Sequence, residues 1–128
     1  MKTASYDALV KSGAIGTFKR DVVLEASRDL EYLETVLWWF AEKAGRVPEA
    51  EQIPNTVQLI EELIAAGVCR LATWKNRGRE PFDSTADEIA ALLSANSPMT
   101  YFLIATEKGD QWVRKYDALV AELGPRSK

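Results

Sequence analysis

The sequence predicts an α+β fold that is mostly helical, and three observations lead to this class. Apolar residues recur every three or four positions over 21–44 and 55–66, which is the spacing of amphipathic helices. Two short runs, 68–74 and 100–105, have the alternation or the aromatic and β-branched content of strands. The 128 residues, 47% of them hydrophobic, are enough to bury one core without disulfides or metals.

One domain is expected over 1–128, with an N-terminal segment at 1–20, a core at 21–124 and a tail at 125–128. The first segment holds a short helix from Tyr6 to Lys11, which Gly13 ends. The stretch from Asp21 to Ala44 is predicted as one long helix or as two helices that are broken near Asp29. Gly45 and then Pro48 follow it, as expected beyond a helix C-terminus.

A second helix is predicted from Asn55, which is a good N-cap residue and has Gln58 three positions later, as in a capping box. Its apolar stripe includes Leu63 and Ile64, which we expect to face the core. Gly67 occupies the position where helices commonly end in a left-handed residue. The predicted strand at 68–74 follows directly.

The remaining elements alternate between polar connections and regular structure. Lys75–Pro81 is predicted as a polar loop, and Thr85 opens a short helix to about Ser94 with Glu88 completing a capping box. A break at 96–98 precedes the strand at 100–105. Thr106 then caps a last helix over 107–123.

The segments "LIEELIAAGVCRL" and, later, "YFLIATEKGDQWV" resemble the second half of winged-helix regulators of the antibiotic-resistance-repressor type. In that family a helix ends in a Gly-apolar turn, two strands form the wing, and a Leu-Thr-x-x-Gly start opens the final helix. The resemblance implies a winged-helix-like fold with a two-stranded hairpin. This chain departs from the family because a short helix at 84–94 stands where the family has a short wing tip.

A second resemblance covers most of the chain and is to small uncharacterised bacterial proteins with a Leu-x-x-Val-x-Trp pattern after an early aspartate. The matching residues are Asp29, Leu33, Val36, Trp38, Thr106 and Gly109. This resemblance implies a shared fold and does not imply an activity.

Composition argues against catalytic and metal chemistry. The chain has no histidine, which removes the usual general base near neutral pH and the commonest transition-metal ligand. Asp83, Asp87 and Glu88 form a carboxylate cluster, but helix capping accounts for them. Cys69 is the only cysteine, and its place in a predicted strand suggests a small buried apolar residue. We therefore expect a non-enzymatic protein without metal or cofactor.

The first long helix offers the most distinctive candidate surface. Tyr32 and Trp39 are seven residues apart, so on one continuous helix they would lie along one line, away from the core stripe of Val23, Leu30, Leu37 and Phe40. Burial inside the domain is one interpretation, and a partner-binding surface is the other, because these residue types are enriched at protein interfaces. The flanking Glu31, Glu34 and Glu42 would suit a basic partner or form an ordinary solvated face.

One basic and aromatic cluster supports an alternative. Trp74, Lys75, Arg77 and Arg79 would contact phosphates and stack on a base if this segment were the wing of a DNA-binding protein; the other interpretation is a solvated turn. The helix at 55–66 argues against DNA, because it carries Glu61 and Glu62 and no basic residue. The net charge of −3 also disfavours nucleic acid.

The sequence therefore favours a non-catalytic protein-binding module of the toxin-neutralising immunity or antitoxin type, with a winged-helix transcriptional regulator as the alternative. The partner would be a basic toxin or a second copy of the chain. The sequence has no apolar run long enough to span a membrane and no secretory leader pattern at its start, so a cytoplasmic location is expected.

Overall fold

The chain forms six α-helices and a four-stranded antiparallel sheet within the described residues. The structure is a computed structural model that describes residues 3–95 and 100–123, and over 116–123 it describes the helical backbone. The helices are α1 (Ala4–Lys11), α2 (Ala14–Arg28), α3 (Leu33–Trp38), α4 (Glu49–Ala65), α5 (Ala86–Ser94) and α6 (Glu107–Leu123). The strands are β1 (Glu31–Tyr32), β2 (Cys69–Lys75), β3 (Gly78–Phe82) and β4 (Tyr101–Ala105), and a π-helical turn, Trp39–Lys43, continues α3. The predicted class, α+β and mostly helical, is confirmed.

The sheet has the strand order β1–β4–β2–β3, so that strands distant in the chain lie side by side. Tyr32 pairs with Phe102, and Phe102 pairs with Ala72. Because alternate residues of a strand face opposite sides of a sheet, these three side chains share one face. The neighbouring pair of the same two strands, Leu71 with Leu103, lies on the opposite face of the sheet. Both of these side chains are buried in the helical core.

A tight hairpin joins β2 to β3. Lys75 pairs with Gly78 across two turn residues, Asn76 and Arg77, whose φ values are both positive, as a type I′ turn requires. The prediction of a polar loop over Lys75–Pro81 is therefore wrong. The usual signal for such a turn is glycine at the second central position, and this chain has arginine there, so the turn was not recognised in the sequence.

The segment 21–44 is broken at Asp29, which confirms the two-helix form of the prediction. Asp29 ends α2 with a non-helical backbone, φ −154° and ψ −90°. Its carboxylate and its carbonyl oxygen both accept hydrogen bonds from the Arg79 guanidinium. The next residues, Glu31 and Tyr32, extend to pair with β4. Pairing with a strand 70 residues away is a tertiary effect that helical periodicity cannot reveal.

Helix α4 begins six residues before the predicted start, at Glu49, and includes Pro54. Asn55 is therefore inside the helix, fully buried, and the prediction that it is an N-cap is wrong. Its side chain instead donates to the Ser5 hydroxyl at 2.9 Å and is joined to the Thr3 hydroxyl by a second hydrogen bond. These bonds attach α4 to α1, and they satisfy an amide that would be costly to bury alone.

The turn between α4 and β2 also holds the start of α6. Gly67 has φ +76°, and the Val68 amide donates to the Leu63 carbonyl at 3.2 Å, as in a Schellman motif. The Thr106 amide donates to the Val68 carbonyl at 3.0 Å, and the Thr106 hydroxyl donates to the Gly67 carbonyl. The Gly109 amide donates to that same hydroxyl, which confirms Thr106 as the cap of α6.

Two further predictions of helix signals are confirmed. Thr85 and Glu88 form the complete capping box of α5, and α1 covers the predicted helix from Tyr6 to Lys11. Of the predicted stripe of α4, Leu63 is buried and Ile64 is partly buried against the core. The break predicted at 96–98 and the tail at 125–128 lie outside the described residues.

Candidate functional site

The aromatic residues around the π-helical turn divide between the core and the surface. Phe40 is fully buried, and Trp39 is half-buried with its ring stacked on Phe18 at 4.0 Å between centroids and 7° between planes. Trp38 points outward, 49% exposed, with the Lys43 ammonium 5.3 Å from its ring centroid. The side chains of consecutive helical residues point about 100° apart around the helix axis, so one of two adjacent tryptophans can pack on the core while the other faces solvent. The exposed aromatic residue of this segment is Trp38, which was not among the predicted partner-binding residues.

A groove opens beside the stacked rings. It is lined by Ser12, Gly13, Ala14, Thr17, Phe18, Asp21 and Trp39, and its volume is about 390 Å³. The α1–α2 turn forms one side, because Gly13 adopts φ +85° and reverses the chain there. The helix α2 presents Phe18 and Asp21 to the groove three residues apart, which places them on one helix face. Nothing in the hydrophobic pattern of the sequence distinguished these two residues.

Two carboxylates of α2, Asp21 and Glu25, lie close enough to Glu31 to act on its charge. Burial, together with the negative charges of Glu25 and Asp21, raises the pKa of Glu31 to about 7. Glu34 is partly buried in the first turn of α3, and Glu42 is exposed in the π-helical turn. Glu31, Glu34 and Glu42, which were predicted as a charged rim, thus lie in three different local environments.

Tyr32 does not belong to the helical surface predicted for it. It lies in β1, half-buried, with its ring edge-on to Phe102 at 6.1 Å. The prediction that Tyr32 and Trp39 form one line along a helix is wrong, because the chain leaves helical geometry between them. Trp39 faces the groove, whereas Tyr32 packs on the sheet.

The predicted basic cluster forms the β2–β3 hairpin. Trp74 is 46% exposed, with its ring 4.9 Å from Phe102 and the Arg79 guanidinium 5.8 Å from its centroid. Arg79 is ion-paired with Asp29, and Lys75 is ion-paired with Glu80 at 3.2 Å. Arg77 is exposed at the hairpin tip. Two of the three cations therefore have carboxylate partners, which weakens the attraction of this hairpin for phosphate.

Two carboxylates near the start of α5, Asp83 and Glu88, have structural partners. The Glu88 carboxylate accepts a hydrogen bond from the Thr85 amide at 2.8 Å, and this bond lowers the pKa of Glu88. Asp83 is ion-paired with Arg70 at 3.6 Å. Within the described residues, no group of three or more potential ligand side chains is arranged to hold a metal ion. Cys69 is buried, as predicted, and burial raises the pKa of its thiol to about 12.

Comparison of the chain with protein-family models, with curated protein sequences and with solved structures gives no match. In the part of the chain that the structure describes, no helix is both long enough and apolar enough to span a membrane. The residues themselves are therefore the basis for any functional assignment.

Proposed function

We propose that the chain is a non-catalytic protein-binding module of the toxin-neutralising immunity or antitoxin type, which recognises a basic partner protein. The observation that carries the proposal is the open groove whose lining combines the stacked rings of Phe18 and Trp39 with the acidic residue Asp21. We call this the acidic groove. Its acidic surroundings include Glu25 and Glu31, whose charges act on one another.

An aromatic ring next to a carboxylate is a suitable receptor for a cationic side chain. A lysine or arginine of the partner would lie against the Trp39 ring and pair with Asp21, combining a cation–π contact with an ion pair. Both terms are stronger when the partner excludes water from the groove. The exposed Trp38 supplies apolar area nearby in the chain, and tryptophan is among the residues that dominate binding energy at interfaces.

The π-helical turn provides additional support. The Ala44 amide donates to the Trp39 carbonyl at 2.8 Å, five residues back, and such turns recur at functional sites. In this chain the turn begins at Trp39, the residue that stacks on Phe18 at the groove. Glu42, also in the turn, would contribute to steering a basic partner and to excluding acidic ones.

The test uses the product of the neighbouring gene as candidate partner, with binding measured by calorimetric titration. We expect Trp38→Ala and Asp21→Asn each to weaken binding by about 2 kcal/mol, roughly 30-fold in Kd. Trp74→Ala is the matched control, because Trp74 is exposed to a similar extent as Trp38 but lies on the hairpin, and this variant should bind like the wild type. If Trp74→Ala abolished binding and the other two variants did not, the acidic groove would not be the interface.

A second copy of the chain is the other partner that this surface would accept. Sedimentation of the purified protein distinguishes the two cases: a dimer that Trp38→Ala dissociates would identify self-association as the function of the surface. A monomer that binds the neighbouring gene product supports the proposal as stated.

A DNA-binding regulator of winged-helix topology is the second candidate, and the exposed Trp74 with Arg77 at the hairpin tip is the observation that favours it. The order of α4, the Gly67 turn, β2, β4 and α6 supports a winged-helix-like arrangement. The acidic side of α4 opposes DNA binding, because Glu61 is exposed there. We expect no specific shift in a mobility assay at physiological salt; tight, sequence-dependent binding lost in Arg77→Ala would reverse the ranking.

A further inference from the structure

A second cleft lies on another side of the molecule, where α2, the end of α4 and the start of α6 meet. It has a volume of about 370 Å³, and its lining is Gly16, Lys19, Arg20, Val23, Leu63, Ala66, Val68, Lys108 and Trp112. We call it the basic cleft. Its floor is apolar, with Val23 and Leu63 buried, and Trp112 keeps 36% of its surface exposed at the side.

The walls of the basic cleft are held in place by close packing. A Cβ atom on Gly109 would lie 2.2 Å from the Val68 carbonyl oxygen, so α6 touches the α4–β2 turn backbone to backbone. The bonds of Thr106 to Gly67 and Val68 fix the same contact. The cleft is thus formed before any ligand arrives, which reduces the entropic cost of binding.

Every charged residue in the lining is basic, in a chain whose net charge is −3. The Lys19 ammonium is ion-paired with Glu62 at 2.7 Å, so its charge is largely used within the fold. Lys108 extends along the turn, with its Cδ 3.6 Å and its Nζ 3.9 Å from the place where a Cβ of Gly67 would be. Among the described residues, no carboxylate is ion-paired with Lys108.

We propose that the basic cleft binds a small amphipathic carboxylate, a molecule with one acid group and a short apolar chain. The apolar chain would lie against Val23, Leu63 and Trp112, and the carboxylate would pair with Lys108 and Arg20. The volume is at the lower end of the roughly 300–1,000 Å³ of small-molecule sites. A protein helix is a poorer fit, because a stable interface needs about 800 Å² on each partner and the cleft offers only a few apolar side chains.

The experiment uses decanoate below its micellar concentration, with calorimetry and tryptophan fluorescence as readouts. We expect saturable binding to the wild-type protein and no comparable binding of decyltrimethylammonium, which has the same chain length and the opposite charge. Lys108→Gln should weaken decanoate binding about tenfold through loss of a charge-assisted contact. Lys115→Gln is the matched control, because Lys115 is also an exposed lysine of α6 but is absent from the cleft lining.

A blocking variant tests the location without removing any contact. A Cβ on Gly16 would meet nothing within 4 Å, so Gly16→Leu can place a side chain at the cleft without disturbing the core. We expect an unchanged circular dichroism spectrum and loss of decanoate binding. Three results would each overturn the proposal. They are binding of decyltrimethylammonium as tight as that of decanoate, equal effects of Lys115→Gln and Lys108→Gln, and undiminished decanoate binding by Gly16→Leu. Binding of an acidic helical peptide in place of decanoate would also overturn it.

Discussion

Gly109 and Gly16 permit a matched test of how closely α6 packs on the rest of the fold. Each glycine is the third residue of its helix, α6 or α2. A Cβ on Gly16 would have open space, whereas a Cβ on Gly109 would lie 2.2 Å from the Val68 carbonyl oxygen and 3.1 Å from its carbon. Substitution by alanine at the two positions should therefore change stability in opposite directions.

The expected magnitudes follow from three contributions. Replacing glycine by alanine in a helix contributes about 0.5–1 kcal/mol of stability, and this part is common to both sites. At Gly109 the obstacle is backbone, which no rotamer change can avoid, and overpacking of this kind costs about 1–3 kcal/mol. If α6 moves away to make room for the new Cβ atom, the hydrogen bond from the Thr106 amide to the Val68 carbonyl weakens, and this loss costs about 1 kcal/mol of stability. Gly109→Ala should then lose about 1–3 kcal/mol net, and Gly16→Ala should gain about 0.5 kcal/mol or more.

Urea denaturation followed by circular dichroism gives both values, and thermal unfolding provides an independent check at roughly 3–5 °C per kcal/mol. Equal slopes of the unfolding free energy against urea would show that the denatured states are comparable. If Gly109→Ala stabilised the protein as Gly16→Ala is expected to, α6 would not pack on the α4–β2 turn. The inference that the basic cleft is preformed would then be wrong as well.

Three further predictions concern the core, the acidic region of α2 and the buried thiol. Leu63→Ala should cost about 2–5 kcal/mol of unfolding free energy, because Leu63 is only 3% exposed; a loss below about 0.5 kcal/mol would contradict its packing. The pKa of Glu31 is raised to about 7 from 4.5, so the stability linked to its protonated form is present below about pH 4.5 and is lost as the pH rises toward 7. Glu31→Gln should therefore gain stability relative to the wild type between pH 5 and pH 8 in thermal unfolding, and a difference independent of pH would refute this. The Cys69 thiol, whose pKa burial raises to about 12, should react with a disulfide reagent only as fast as the protein opens, and rapid reaction in the native protein would contradict its burial.

Local signals in the sequence predicted several helix ends well. The capping box of Thr85 and Glu88, the left-handed Gly67 and the bond from the Gly109 amide to the Thr106 hydroxyl each join residues within a few positions of one another, so the local sequence contains these signals. The same signal at Asn55 misled the prediction. Its side chain bonds to Thr3 and Ser5, about 50 residues away, and this tertiary contact leaves α4 free to start at Glu49.

The candidate sites depended more strongly on the tertiary structure. Tyr32 and Trp39 were predicted on one helical line from their spacing, but pairing of β1 with β4 places Tyr32 in the sheet. Trp39 stacks on Phe18 of α2, whereas its neighbour Trp38 is exposed. No periodicity argument within the segment identifies this stacking, because Phe18 belongs to a different helix.

By itself, the sequence determined the fold class, the position of most helices and of the strands β2 and β4, and the absence of histidine chemistry, because composition and short-range capping depend only on the chain. Only the tertiary structure decided which charges are neutralised and which clefts exist. Arg79 is paired with Asp29 fifty residues away, and the basic cleft combines side chains from α2, α4 and α6. Such sites form where distant segments meet, and the meeting is decided by the packing of the whole core.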